Sequence, residues 1–372
     1  MDNRRPTWAE INLAALQHNL ACIRQAAAPA QVMAVVKANG YGHGIVEVSR
    51  FFHENGVDFL GVASLDEAML LREAGLQGPI LVLGYIPSEF ARTVVSQGIR
   101  ATVFESGLAR ALSRAAVDLG LPAYVHLKID TGMGRLGFPV ENETIDELCR
   151  IQKLPGLEME GIFTHFAVAD IPDKSYTLEQ LRLFQLLIKD LEDRGVTFPL
   201  KHCSNSAALI GLPQAHFNVV RAGIIMYGLQ PEPGLIPPGF DVIPAMQLKS
   251  RVGFVKTLKE GQTVSYGRTY CCRAETRVAT VPIGYADGYS RLLSNRAWAV
   301  IRGQQVPLIG TVCMDQCMFD VSSVPEVQEG DEVLLFGRAE NGVTADDLAQ
   351  IIGTINYEVV CAVSSRVPRI YV

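Results

Sequence analysis

Eight short apolar runs recur along the first part of this chain, each followed by a helical or loop segment. They lie at 32–36, 59–63, 80–84, 101–104, 124–130, 160–165, 200–204 and 219–224. Runs of this length, rich in Val, Ile and Leu, read as strands buried on both faces. Helices are predicted between them at 65–73, 88–96, 106–119 and 177–194, after an opening helix whose stripe is Leu13, Leu16, Leu20 and Ile23, with Asn12 as its cap. In the last of the four, Thr177 and Gln180 have capping-box spacing and Gly195 is the expected stop. Eight strands alternating with helices over about 230 residues is the size and pattern of a (β/α)8 barrel, with a doubly wound sheet as the rival.

The segment PEPGLIPPGFDVIP at 231–244 carries five prolines and reads as a linker. Beyond it the pattern changes to alternating, β-branched segments separated by turns, as expected of an antiparallel β domain. One short helix is predicted at 345–352 behind a Thr344 cap. The expected fold is therefore α/β: a TIM barrel over 1–235, then a mainly antiparallel β domain over 236–372.

Polar residues gather where the apolar runs end. Lys37, Lys128, Asp130, His165, Asn205, Ser206 and Arg221 each close a run or open the loop after it. In a barrel those ends converge on one mouth, so residues scattered in sequence form one pocket. Within VVKANGYGHG, Lys37 runs from an apolar strand straight into Gly40, Gly42 and Gly44, with Tyr41 and His43 between them. A half-buried amine loses its proton more readily and can act as a base or imine-former, and glycines let backbone approach a bulky anion. That pairing suits pyridoxal phosphate. GxGxxG is absent, which leaves a dinucleotide fold unsupported. Arg135, in KIDTGMGRLG, can receive a carboxylate in bidentate fashion. Asn205 and Ser206 sit at a strand-to-helix junction suited to phosphate. Arg221, between apolar neighbours, needs an acceptor.

Composition narrows the classes. A formal net charge of −6 argues against nucleic acid as partner. No run approaches the length of a membrane span, and no apolar segment follows the N-terminal arginines, so a cytoplasmic protein is expected. Eight scattered cysteines without a CxxC pair suggest reduced thiols and no metal centre.

With these residues in view, the chain resembles the alanine racemases, pyridoxal-phosphate enzymes of fold type III. The likeness runs through VVKANGYGHG, LKIDTGMGRLGF, THFAVAD, SNSAAL, VVRAGIIMYG, SYGRTY, IGYADGYSR, GTVCMDQ and INYEV, in order. The resemblance implies racemisation of alanine by two bases, Lys37 and Tyr266, the tyrosine coming from the second subunit of a homodimer. It implies that Lys37 carries the cofactor and that Arg221 faces its pyridine nitrogen, with His165 linking Arg221 towards Tyr266. Tyr41, Asn205, Ser206, Gly223, Ile224 and Tyr357 would complete the cofactor site. Arg135 and the backbone of Met314 would take the substrate carboxylate, with Lys128 as a carbamylated lysine orienting Arg135. Tyr285, Cys313 and Asp315 would support them. Alternatives are a serine or broad-spectrum amino-acid racemase, a non-catalytic pyridoxal-phosphate-binding protein, and a sugar- or phosphate-binding barrel. The last leaves Lys37, Arg221 and Tyr266 unexplained.

Overall fold

The eight runs form eight parallel strands: Gln31–Val35, Phe59–Val62, Ile80–Val82, Arg100–Val103, Ala123–Asp130, Leu157–Phe163, Leu200–His202 and Val219–Ala222. This computed structural model describes residues 5–235, 237 and 239–372. From Gln31–Val35 to Leu200–His202 each strand pairs in parallel with the next, and Val219–Ala222 pairs with the first. The seam between Leu200–His202 and Val219–Ala222 carries no continuous ladder. It is bridged by the Arg221 N–H donating to the Ser204 carbonyl at 3.1 Å, and by the Lys201 N–H donating to Asn218 Oδ1 at 2.7 Å. The barrel is thus nearly closed, and the doubly wound alternative falls.

Local signals set the outer helices. Asn12 Oδ1 accepts from the Ala15 N–H at 2.8 Å and starts Leu13–Ala27. Ser64 caps Leu65–Glu73, and Glu105 caps Ser106–Leu119. The predicted 88–96 helix splits into a 3-10 turn, Ser88–Phe90, and a short α-helix, Ala91–Ser96. The capping box expected at Thr177 is not there. The helix runs Ser175–Asp193, so Thr177 lies inside its first turn and is buried. Gln180 turns to the barrel instead, accepting from the Ala167 N–H at 2.9 Å and donating to the His165 carbonyl at 3.2 Å. Gln180 is thus taken up by tertiary partners, where it ties down the backbone of the 165–167 loop.

Residues 231–244 contain no helix or strand among those described. A six-stranded sheet follows, in the order Gln304–Pro307, Trp298–Ile301, Glu332–Phe336, Met246–Arg251, Trp8–Ile11, Arg369–Tyr371. All its neighbours are antiparallel except the last pair. Trp8–Ile11 therefore joins this sheet, although the expected division assigned it to the barrel. A strand so close to the chain start has no local signal for which sheet it enters. Smaller sheets hold Phe254–Leu258, Thr276–Val281 and Cys317–Asp320, and the hairpin Thr263–Val264 with Tyr270–Cys271. Thr344 caps Ala345–Ile352 with a full capping box to Asp347. A second helix, Asn356–Ala362, follows it.

One continuous apolar core spans both parts. Their contact explains two glycines of the lysine motif. A Cβ on Gly42 would overlap the Val360 carbonyl, and one on Gly44 would overlap the Tyr371 hydroxyl. These glycines admit neighbouring protein, not an anion. His43 is fully buried there, its Nδ1 on the carbonyls of Gly40 and Tyr41, and burial pushes its pKa down to about 4. Among the described residues no helix is long and apolar enough to cross a membrane, no group of side chains is arranged as a metal site, and all eight cysteines are free thiols.

Candidate active site

A cavity of about 390 Å³ opens at the C-terminal ends of the barrel strands. It is lined by Lys37, Tyr41, Lys128, Arg135, His165, Asn205, Ser206, Arg221, Gly223, Ile224 and Tyr357, with Phe163 and Leu83 among its apolar wall. Eleven of the sixteen residues to which the resemblance gives a role thus meet in one place.

Lys37 stands where the first barrel strand breaks into a turn of left-handed backbone. Ala38, Asn39, Gly40 and Tyr41 all have φ between 50° and 61°. Left-handed geometry costs a non-glycine residue about 1–2 kcal/mol, so it persists only when other bonds determine it. They do so here. Glu67 accepts from the N–H of Ala38 and of Ala63, both at 2.7 Å, and Asn39 Oδ1 accepts from the Ile45 N–H at 2.9 Å. Glu67 is a residue the sequence reading missed; an acidic residue in the first turn of a helix carries no signal for such a task. Burial, and then the Arg135 charge, lower the Lys37 pKa from its ordinary value.

Opposite Lys37, an anion cradle forms. Asn205 caps the helix Ser206–Gly211, accepting from the Ala208 N–H at 3.0 Å, and Ser206 Oγ accepts from the Gly223 N–H at 3.0 Å. A Cβ on Gly223 would lie 2.8 Å from the Tyr41 hydroxyl and 3.4 Å from Ser206 Oγ. Gly223 is therefore the glycine that keeps space open beside two hydroxyls and two short helical N-termini. Tyr357, on the helix Asn356–Ala362, closes the cavity with its ring centroid 6.1 Å from that of Tyr41.

The cationic side is denser. Lys128 is buried and donates to the Ile129 carbonyl at 3.0 Å. Burial and then Arg221 push its pKa down to about 7. Asp130 Oδ1 accepts from the N–H groups of Gly132, Met133 and Gly134 at 2.8–3.1 Å. Although desolvation alone would raise the Asp130 pKa, these bonds hold it below the carboxylate range. They also shape the loop that presents Arg135, which has no ion-pair partner among the described residues. Arg221 is buried at 4% exposure without a carboxylate in contact. Its guanidinium donates to His202 Nδ1 at 2.9 Å, to the carbonyls of Thr164 and Cys203 at 2.9 and 3.0 Å, and to His165 Nδ1 at 3.1 Å. The need for acceptors is met by neutral groups. Burial followed by the Arg221 charge drives the His165 pKa well below its ordinary value. His165 is then neutral, its proton on the other ring nitrogen, Nε2.

Five expected residues lie elsewhere. Tyr266, Tyr285 and Met314 are exposed at 71%, 44% and 52%. The N–H groups of Tyr285 and Ala286 donate to the carbonyls of Cys313 and Met314, both at 3.1 Å, which joins these segments. Cys313 Sγ lies 3.3 Å from Ser265 Oγ, and Asp315 pairs with Arg366 at 2.6 Å. These residues form a second cluster on the surface of the β domain, outside the cavity.

The comparisons with known proteins agree along the whole length. A family model described as "Alanine racemase, N-terminal domain" matches residues 11–231, and one described as "Alanine racemase, C-terminal domain" matches 245–371. The chain is 48% identical over 369 residues to the alanine racemase of Clostridium perfringens, covering 99% of this chain and 95% of that one. To that of Desulforamulus reducens it is 48% identical over 370 residues, covering 99% and 100%. The solved alanine racemase of Clostridium difficile superposes with a TM-score of 0.94 at 41% identity, covering 99% of this chain and 96% of the other. The Streptomyces lavendulae alanine racemase gives 0.94 at 36% identity, covering 100% and 98%.

Proposed function

The chain belongs to the alanine racemase family of isomerases, and from that premise we propose that it interconverts L- and D-alanine with pyridoxal phosphate held in the barrel cavity. The observation that carries the cofactor assignment is the space at Gly223. There the Tyr41 and Ser206 hydroxyls and two short helical N-termini converge, facing a lysine of lowered pKa. Those donors fit a phosphate, and that lysine fits an aldehyde-bearing ring.

Tyr41, Ser206, Gly223, Ile224 and Tyr357 would hold the phosphate, with Asn205 fixing the helix that presents it. Lys37 would hold the group through its amine. Bound there, pyridoxal phosphate supplies an electron sink that makes the α-proton of alanine removable. Racemisation then needs a proton taken from one face of Cα and returned on the other. Lys37 Nζ, whose pKa burial lowers, serves one face. The Tyr266 hydroxyl of a second subunit serves the other, because Tyr266 of the same chain stands outside the cavity. Arg221 offers only donors and keeps its charge, so it would take no proton from a pyridine nitrogen held beside it. His165 Nε2–H is the donor directed to the tyrosine base. Arg135 and the Met314 N–H receive the substrate carboxylate. Lys128, neutral in part near pH 7, can take up CO2 as a carbamate, releasing one proton. The resulting negative charge would balance and aim Arg135.

The decisive experiment assays the purified protein on a panel of L-amino acids with chiral separation of the products. Alanine should be racemised, with activity lost on stripping the cofactor and regained on adding pyridoxal phosphate. The ring of Tyr357 at the cavity wall should hold serine and larger substrates to lower rates. Equal rates on serine and alanine would replace the alanine assignment with a broad-spectrum one.

A further inference from the structure

We propose that Glu160, acting through His126 and His202, is a positioning carboxylate that fixes the orientation of Arg221 from the far side of the barrel interior. The four side chains form one hydrogen-bonded line. Arg221 Nη1 lies 2.9 Å from His202 Nδ1, His202 Nε2 lies 2.9 Å from His126 Nδ1, and His126 Nε2 lies 2.9 Å from Glu160 Oε2. Both imidazoles are fully buried.

The line has only one consistent polarity. A guanidinium has donors and no acceptor, so His202 must present a bare Nδ1 to it. A neutral His202 then carries its proton on Nε2 and donates to His126. His126 in turn has a bare Nδ1 and donates from Nε2 to Glu160. The carboxylate accepts at one end and the guanidinium donates at the other, and every hydrogen between them is fixed. Burial lowers the pKa of both rings, with Arg221 next for His202 and the bond to Glu160 opposing it for His126. The charge of Arg221 is thereby answered by a carboxylate three hydrogen bonds away, in surroundings where such chains polarise one another.

Two independent features of the backbone serve this line. The pairing of Ala123–Asp130 with Leu157–Phe163 slips by one residue, Val125 facing Met159 and His126 facing Gly161, so Glu160 is the extra residue of a bulge. Bulges re-aim side chains, and this one brings Glu160 to His126. A Cβ at Gly161 would overlap the His126 ring, so the glycine makes room for it. Arg100 grips the outer side of Glu160, Nε to Oε2 at 3.2 Å and Nη2 to Oε1 at 3.2 Å, and stacks 4.4 Å over the Tyr124 ring. Glu160 is thus held in place from behind while it orients the histidines in front. Its role rests on the reading of Arg221 as the residue facing the cofactor ring.

The test uses holoenzyme labelled with 15N in the histidine rings, observed by solid-state NMR, with His126→Gln and His202→Gln assigning the signals. In the unsubstituted protein both rings should carry hydrogen on Nε2 only, unchanged between about pH 6 and pH 9. Glu160→Gln can turn its amide N–H towards His126 and should disturb both rings. It should lower kcat about tenfold or more while KM for alanine changes less than about twofold, because Glu160 touches no substrate. Arg100→Gln loosens Glu160 but leaves its carboxylate as the acceptor, so it should keep both tautomers and lower kcat less than Glu160→Gln does. A protonated Nδ1 on either histidine of the unsubstituted protein overturns the proposal, even should Glu160→Gln fail to fold. So does a Glu160→Gln protein with unaltered kcat and ring signals. Absence of any racemase activity would instead overturn the function proposed above and leave the tautomer result standing.

Discussion

The hydroxyl of Thr311 donates to the carbonyl of Tyr266 at 2.8 Å, so a tyrosine whose side chain is largely exposed stands on a fixed backbone. Ser265, immediately before it, has φ 66° and donates to the Thr311 carbonyl at 2.5 Å. Two hydrogen bonds thus hold the left-handed turn that presents this exposed tyrosine, as the proposed role of Tyr266 in a second subunit's site requires. Through Cys313 the turn meets the segments that expose Tyr285 and Met314.

That arrangement leads to a complementation test. Lys37→Ala and Tyr266→Phe proteins should each be nearly inactive. Mixed and allowed to exchange subunits, they should recover about a quarter of the normal activity, since half the dimers are hybrids with one intact site of two. No recovery, with hybrid dimers verified by mass, would place both bases in one chain.

Lys128 gives a pH test. Its pKa is about 7 in the folded protein against 10.5 for the free side chain. Between those values the unfolded chain binds the extra proton, so stability rises with pH across that window, by at most about 1.4 kcal/mol per pH unit. In CO2-free buffer, urea midpoints should climb from pH 7 to pH 9, and Lys128→Met should flatten the climb. Adding 13C-bicarbonate at pH 8 should give a carbamate signal that Lys128→Met lacks. Equal slopes in the two proteins would mean that Lys128 keeps its proton in the folded state.

Gly223→Ala tests the cradle. The added Cβ, 2.8 Å from the Tyr41 hydroxyl, occupies the space assigned to phosphate. Affinity for pyridoxal phosphate, read from its absorbance, should fall by about tenfold or more, with a native circular dichroism spectrum. Tyr41→Phe, which removes one hydrogen bond, should cost about 1 kcal/mol of binding. Unchanged affinity in Gly223→Ala would move the phosphate elsewhere.

Gly42→Ala tests the second meaning of the lysine motif. It adds a clash with the Val360 carbonyl to the strain of φ 83°. The loss of stability should be about 3 kcal/mol or more. Gly98→Ala is the control: φ is 58° but the space around it is open, so only about 1 kcal/mol of backbone strain is expected. Similar urea midpoints for the two variants would refute the packing role.

Much of the pocket was legible because its signals are local. A strand is recognised by its own run, and a barrel brings strand ends together whatever the loops do. Lys37, Lys128, His165 and Arg221 could be placed on that ground alone. Glu160, His126 and His202 could not, because their link depends on a one-residue slip between two strands distant in sequence. A weak signal existed: His126 and Lys128, two residues apart, share one face of a strand whose faces are both buried. Gln180 was misread for a related reason. Its spacing from Thr177 fits a cap, but the helix begins earlier and the side chain serves the His165 loop.

Local pattern specified the barrel, the β appendage and the residues of the cavity. The period of apolar runs and the turn chemistry between them act over a few residues, and those suffice to define elements and their ends. Tertiary structure decided the rest. It gave Gly42 and Gly44 to the contact with the β domain and Gly223 to the cradle, a distinction that depends on what lies within a few ångströms of an absent Cβ. It kept Tyr266 out of its own chain's cavity. It also joined Arg221 to Glu160 through two histidines, because hydrogen bonds between strands answer to register and space, which no stretch of sequence encodes alone.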